Sequence, residues 1–267
     1  MEQGHTYHEA EQLFHGWIGR VMGTRFEMMV LHPDKVLLEA LWERLVAQFA
    51  AWEAALNRFS AESEVARLAT LGEGESMAVS PLLGDLLHEA HRYHRLTDGL
   101  FDITLGRAPL PEVHEGAIRR AGDPLALDFG GIAKGYALRW LSEQFAEQGI
   151  RQAFVDFGRS SILGIGHHPY GDSWQVEVQN PYGGAAVGCF ALRDEALSTS
   201  GNTPDYVGHI VRPDSGERCE ERRVAVIKSR DPLDAEVLST VWMIATEAER
   251  KALSARFEAI DAVIYNV

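Results

Sequence analysis

Between Pro33 and Phe59 the apolar residues Leu38, Leu41, Leu45, Phe49, Trp52 and Leu56 recur at spacings of three and four. One face of a 3.6-residue helix carries all of them, so the spacing predicts a long amphipathic helix. Ser80 followed by Pro81 reads as the cap and first position of a second helix that stops near Thr97, Asp98 and Gly99. A third is predicted from about Lys134 to Glu147, with Gly149 as its stop. Asp231 and Pro232 open a fourth that runs to about Ala245, and Ala248 to Phe257 is helical again. Alternation in Ala153, Val155 and Phe157, in Trp174, Val176 and Val178, in short runs near Tyr206, Val224 and Ile264, and in the closing Ala262 to Val267 predicts strands. Arg107 to Asp128, rich in Pro, Gly and charge and without a period, reads as a surface loop between two ordered halves. No linker composition separates those halves. The expectation is one domain over residues 17–267, preceded by an extension over 1–16.

With 267 residues, 46% of them hydrophobic, the chain can bury a full core without disulfide staples. Met1 to Arg20 mixes His5, His8, His15, Glu2, Glu9 and Glu11 with few apolar residues, which is not the pattern of a signal peptide. No apolar run is long enough to span a bilayer. Cys189 and Cys219 lack the spacing of a thiolate metal site or a disulfide framework, so a cytoplasmic location is expected. The formal charge of -14 argues against a nucleic-acid surface. It also means that a bound phosphate has to be held by local donors or a metal, against the overall field.

One segment supplies such donors. Leu127-Asp128-Phe129-Gly130-Gly131-Ile132-Ala133-Lys134-Gly135-Tyr136 passes from a short strand through two glycines into a helix. Such a turn aims free amides at an anion, and Lys134 adds a full positive charge. The spacing is neither a P-loop nor a dinucleotide fingerprint, and a tight turn with a surface lysine has the same letters. Glu236 and Thr240, four apart on a predicted helix, place two oxygens on one face, whether for a ligand or for solvent. His209 is a candidate proton acceptor, its ordinary pKa lying near working pH; a merely hydrogen-bonded strand histidine is the alternative. His88, His91 and His94 step three by three around a helix without a fourth ligand and read as an exposed polar face. His167 and His168 read as part of a loop.

The glycine loop belongs to an ordered series. Before it stand Met22-Gly23-Thr24, Arg58-Phe59-Ser60 with Ser63-Glu64, and Gly99-Leu100-Phe101-Asp102-Ile103-Thr104. After it come Asp156-Phe157-Gly158, Thr199-Ser200-Gly201, His209-Ile210-Val211 with Pro213 and Gly216, and Ala235-Glu236 with Thr240. From about Trp17 to the C-terminus, their order, spacing and chemistry resemble the FAD:protein FMN transferase (ApbE-type) family. The resemblance implies an α+β fold with mixed or antiparallel sheets, packed helices and an FAD cleft between two lobes. It implies an enzyme that cleaves FAD with Mg2+, attaches FMN through a phosphoester to a threonine or serine of a partner flavoprotein, and releases AMP. Carried over, Lys134, Gly130 and Gly131 face the pyrophosphate. Ala133 through its carbonyl, Glu236 and Thr240 sit at the metal, and Met22, Ser63, Glu64, Asp102, Thr199 and Gly201 line the flavin or adenine pocket. His209, Lys134 and Glu236 are the expected catalytic residues.

The sequence also departs from the family's usual pattern. Glu236 stands where an aspartate is usual, Arg159-Ser160 where glycine and an acidic or amide residue are, and Arg212 and Arg139 where acids are common. The Arg107 to Asp128 loop looks shorter than in typical members. Arginines beside a pyrophosphate would share the charge role of a metal, since the guanidinium binds phosphate oxygens bidentately. The same residues are compatible with two other outcomes: an FAD hydrolase in which water replaces the acceptor hydroxyl, and a flavin-binding protein without turnover.

Overall fold

A computed structural model describes residues 1–257 and 260–267. In chain order its strands and helices are β1 (Gln3–His8), β2 (Leu13–Val21), β3 (Thr24–Leu31), α1 (Lys35–Leu56), α2 (Glu64–Ala69), β4 (Ser76–Ala78), α3 (Pro81–Leu96), β5 (Val113–His114) and β6 (Ala117–Arg119). There follow α4 (Ala133–Glu147), β7 (Ala153–Phe157), β8 (Ser161–Ile165), β9 (Trp174–Val178), β10 (Gly188–Leu192), β11 (Glu195–Gly201), β12 (Arg223–Ser229), α5 (Pro232–Ile244), α6 (Glu247–Ser254) and β13 (Asp261–Asn266). The architecture is α+β. Eight strands form one antiparallel sheet in the order β1-β2-β3-β7-β8-β11-β12-β13. A hairpin of β9 and β10 and a small sheet ordered β4-β6-β5 stand beside it.

The two-residue period of a strand sorts its side chains onto two faces. In β12, Ala225 and Ile227 join the main core while Val224 and Val226 join a second cluster with Ile162, Trp174, Val176, Val178, Leu192 and Leu197. The helices cover the first face and the β9–β10 hairpin covers the second. Phe49 of α1 illustrates the first: its ring meets Phe26 of β3 edge-on at 5.0 Å and stacks on Phe157 of β7 at 5.6 Å. Helix α5 is buried nearly all round and lies against β11 and β12 on one side and α4 on the other. Gly135 of α4 permits that approach. A Cβ there would stand 2.5 Å from the Glu236 Cβ and 2.9 Å from the Pro232 carbonyl oxygen.

All the long helices expected from the apolar spacing are present, with Asp34, Ser80 and Asp231 as side-chain caps. Three expectations are revised. The presumed loop from Arg107 to Asp128 contains β5 and β6, which pair with β4. The run near Tyr206 forms only an isolated bridge with Thr203, so it is a turn. Residues 1–16, expected as an extension, form β1 and the start of β2, the edge hairpin of the main sheet.

Candidate active site

The start of α4 meets α5 at a buried ion pair. Lys134 Nζ contacts Glu236 Oε1 and donates to Ser161 Oγ at 2.9 Å. Glu236 is 3% exposed, and its other oxygen accepts from Ser161 Oγ at 2.5 Å and Ser198 Oγ at 2.9 Å. Ser161 of β8 and Ser198 of β11 are cross-strand partners, so the sheet presents both hydroxyls side by side to the helix above. Ser239 extends the chain, touching Ser198 Oγ at 3.1 Å and Ser200 Oγ at 2.8 Å, and Ser200 lies 3.4 Å from Thr240 Oγ1. A buried carboxylate is tolerated only when paired and hydrogen-bonded, and these partners meet that requirement.

Above the pair lies the glycine loop. A Cβ on Gly131 would come within 3.2 Å of Thr240 Oγ1, which brings the loop and the second α5 oxygen together. The Gly130 amide, expected to face a phosphate, donates instead to Asp128 Oδ1 at 2.9 Å. Ala133 donates to the Phe129 carbonyl, and the N-cap Ile132 offers no capping side chain. Among the described residues no acceptor takes the amides of Gly131, Lys134 or Gly135. Unpaired first-turn amides beside a lysine are donors of the kind an anion takes at a helix start.

The rim of the loop carries the histidine. Asp128 pairs with Arg58, whose guanidinium lies over the exposed Phe59 ring. His209 stacks on Tyr206 at 4.1 Å, and its Nδ1 is buried without a partner among the described residues. Burial lowers the His209 pKa below the ordinary imidazole value, against the opposing pull of the Tyr206 backbone and the Asp128 charge. The ring is therefore neutral at pH 7, the form that can take up a proton. Asn202, which the sequence reading passed over, anchors the loop that holds it. Its amide donates to the carbonyls of Cys219 and Glu221, and its oxygen accepts from Gly208 N.

Other expected contact residues are spread more widely. Ser63 is the N-cap of α2, accepting from Ala66 N at 3.0 Å, and Glu64 accepts from the amide and hydroxyl of Ser80, tying α2 to the start of α3. Asp102 Oδ1 caps its own turn through Thr104. Met22 lies in the tight β2–β3 turn at φ 49°, a left-handed conformation uncommon for residues with a side chain. Thr199 and Gly201 belong to β11, and Gly201 packs closely on the Arg223 carbonyl of β12. His91 and His94 are not part of an exposed face: they bond the carbonyls of Pro111 and Phe101 and fasten that segment to α3.

Two of the arginine departures are also structural. Arg139 binds Asp231, Glu89 and the Tyr93 hydroxyl, joining α3, α4 and the cap of α5. Arg212 binds Asp214, Glu249 and the Ile244 carbonyl. Neither is a free arm for a pyrophosphate, which corrects the charge-sharing role expected of them. Arg159 is exposed at the β7–β8 turn with φ 60°. Two surface cavities of about 420 and 330 Å3 lie around the end of α3 and α6, and neither is lined by the expected FAD contacts.

Glu236, Thr240 and the Ala133 carbonyl are hard oxygen donors of the kind a magnesium ion takes, so the donor set fits in kind. The carboxylate is already engaged by Lys134 and two serines. No group of three or more His, Cys, Asp or Glu side chains is placed to hold a metal among the described residues. No described helix is long and apolar enough to cross a membrane.

The family model described as "ApbE family" matches residues 22–110 and 109–264. The FAD:protein FMN transferase of Salmonella typhimurium is 24% identical over 251 residues, covering 78% of this chain and 71% of its own. That of Escherichia coli K12 is 22% identical over 270 residues, covering 85% and 77%. Among solved structures, the apo Pseudomonas stutzeri flavinyl transferase ApbE superposes with a TM-score of 0.77 at 21% identity, over 99% of this chain and 91% of that one. Since the family model spans most of the length, the chain belongs to the ApbE family.

Proposed function

We propose that the protein is a magnesium-dependent FAD:protein FMN transferase that moves FMN onto a threonine or serine hydroxyl of a partner flavoprotein. The observation that carries this reading is the meeting of Lys134, with free amides beside it, and the Glu236 and Thr240 oxygens of α5, near a neutral histidine. Phosphoryl transfer needs alignment and charge neutralisation more than covalent catalysis, and these groups supply both. Lys134 and the amides of Gly131 and Gly135 would hold the pyrophosphate. His209 would accept the proton of the attacking hydroxyl on its imidazole ring as the new O–P bond forms on the FMN side and the bond to the AMP phosphate breaks. Magnesium, held by Glu236, Thr240 and the Ala133 carbonyl, would neutralise charge on the pyrophosphate oxygens.

AMP release from FAD with magnesium, measured with and without a flavoprotein acceptor, tests the reading. Covalent flavin fluorescence on the acceptor is followed in a denaturing gel. AMP together with a fluorescent acceptor is expected. AMP without a labelled acceptor identifies hydrolysis instead, and bound FAD without AMP identifies a non-catalytic binder.

A further inference from the structure

Glu236 stands in a cage whose donors come from three elements: Lys134 from α4, Ser161 from β8 and Ser198 from β11. The two serines are fixed by strand register, and Glu236 itself is 3% exposed. Lys134 is different. Its side chain retains 19% exposure, it rides on the first turn of a helix with free amides, and its ammonium fills the cationic position at Oε1. We propose that Lys134 is the resident cation of this carboxylate and that it yields its place only when a phosphate ligand arrives. The two serines are positioning residues that keep Glu236 oriented through the exchange.

This rests on the transferase reading and adds an order of assembly to it. A divalent ion arriving alone has to displace an ammonium that is already paired and hydrogen-bonded, which opposes binding. A pyrophosphate offers that ammonium a second anion at the same helix start, leaving Oε1 for the metal. Cation and phosphate ligand are then taken up together, and linkage requires each to tighten the other by the same factor. Without nucleotide the site stays neutralised by its own lysine. Free metal does not load it.

The sequence makes the test direct, because the chain has only four lysines, Lys35, Lys134, Lys228 and Lys251. Side-chain amine NMR of lysine-labelled wild type follows the Lys134 ammonium under Mg2+ alone, then with ADP as a pyrophosphate probe. The Lys134 signal should be unmoved by millimolar Mg2+ and shift when ADP is added. In parallel, Mn2+ affinity without nucleotide is read by electron paramagnetic resonance. Lys134→Gln should bind Mn2+ at least about tenfold more tightly than wild type, whereas Arg159→Gln, which removes an exposed charge at the β7–β8 turn, should change it by less than about twofold.

Displacement of Lys134 by Mg2+ alone, or equal Mn2+ affinity in wild type and Lys134→Gln, overturns the proposal while leaving the transferase reading intact. Absence of Mn2+ binding in every form, even with ADP, overturns both. Should Lys134→Gln not fold, the wild-type NMR titration decides alone.

Discussion

The role proposed for His209 depends on what surrounds its ring. Burial holds the imidazole below its ordinary pKa, against the raising pull of the Tyr206 backbone and the Asp128 charge, so the neutral, proton-accepting form persists to lower pH. The acid limb of kcat/KM for flavin transfer should therefore fall below about pH 6.5, the ordinary histidine value. A limb above that value would mean that another group takes the proton. His209→Gln should lower transfer by about 10²-fold or more while FAD binding, read by flavin fluorescence, changes little. The sequence makes Lys134, Glu236, Thr240 and His209 candidates by residue type and spacing, and the fold brings Lys134 to Glu236 and Thr240 to the glycine loop. The serines carry no such signal. Ser161 and Ser198 lie 37 residues apart and acquire meaning only when β8 and β11 pair in one register, and no local spacing records that. Ser63, Glu64 and Asp102 show the converse, because a cap and a ligand draw on the same residue types.

At the scale of elements, the site depends on how closely α4 can approach α5. Gly135 sits where a Cβ would collide with Glu236 and the Pro232 carbonyl, both on α5. Gly135→Ala should force the helices apart, cost about 1–3 kcal/mol in a urea titration as overpacking does, and separate Lys134 from Glu236. Unchanged stability together with unchanged FAD cleavage would mean that the crossing adjusts freely. The junction of α5 and α6 offers a second test. The Arg212 side chain, followed by the Thr246 backbone, lowers the Glu249 carboxyl to about 2. A depressed acid stabilises the fold fully above its unfolded value and loses that contribution as pH falls through the folded one. The pair is partly exposed, so Arg212→Ala should cost about 1 kcal/mol at pH 6 and clearly less near pH 2, where Glu249 is about half protonated, checked by urea unfolding at each pH. Helices with strong periodicity and caps were readable in advance. Short strands such as β5 and β6 were not, because two or three residues carry no period and exist only through pairing with β4.

For the whole molecule the governing quantity is charge. A net -14 surrounds a site proposed to receive a pyrophosphate, so the local cation and the overall field act in opposite directions. Lys134 is a single charge paired with Glu236, and Arg139 and Arg212 are held by carboxylates of the chain itself. Attraction at contact range survives salt, because the groups touch the ligand. Repulsion from the remaining acids acts across solvent, where ions screen it over about 30 Å at 0.01 M but only about 8 Å at 0.15 M. Raising ionic strength should thus remove more repulsion than attraction and speed FAD association, by roughly threefold or more between those concentrations in stopped-flow fluorescence. Dissociation should change less, since it breaks the short contacts at the glycine loop. A basic anion-binding surface would give the opposite slope, its association slowing with salt. A measured slowing would therefore show that positive groups around the cleft, rather than the summed charge of the chain, set the field that an incoming nucleotide meets.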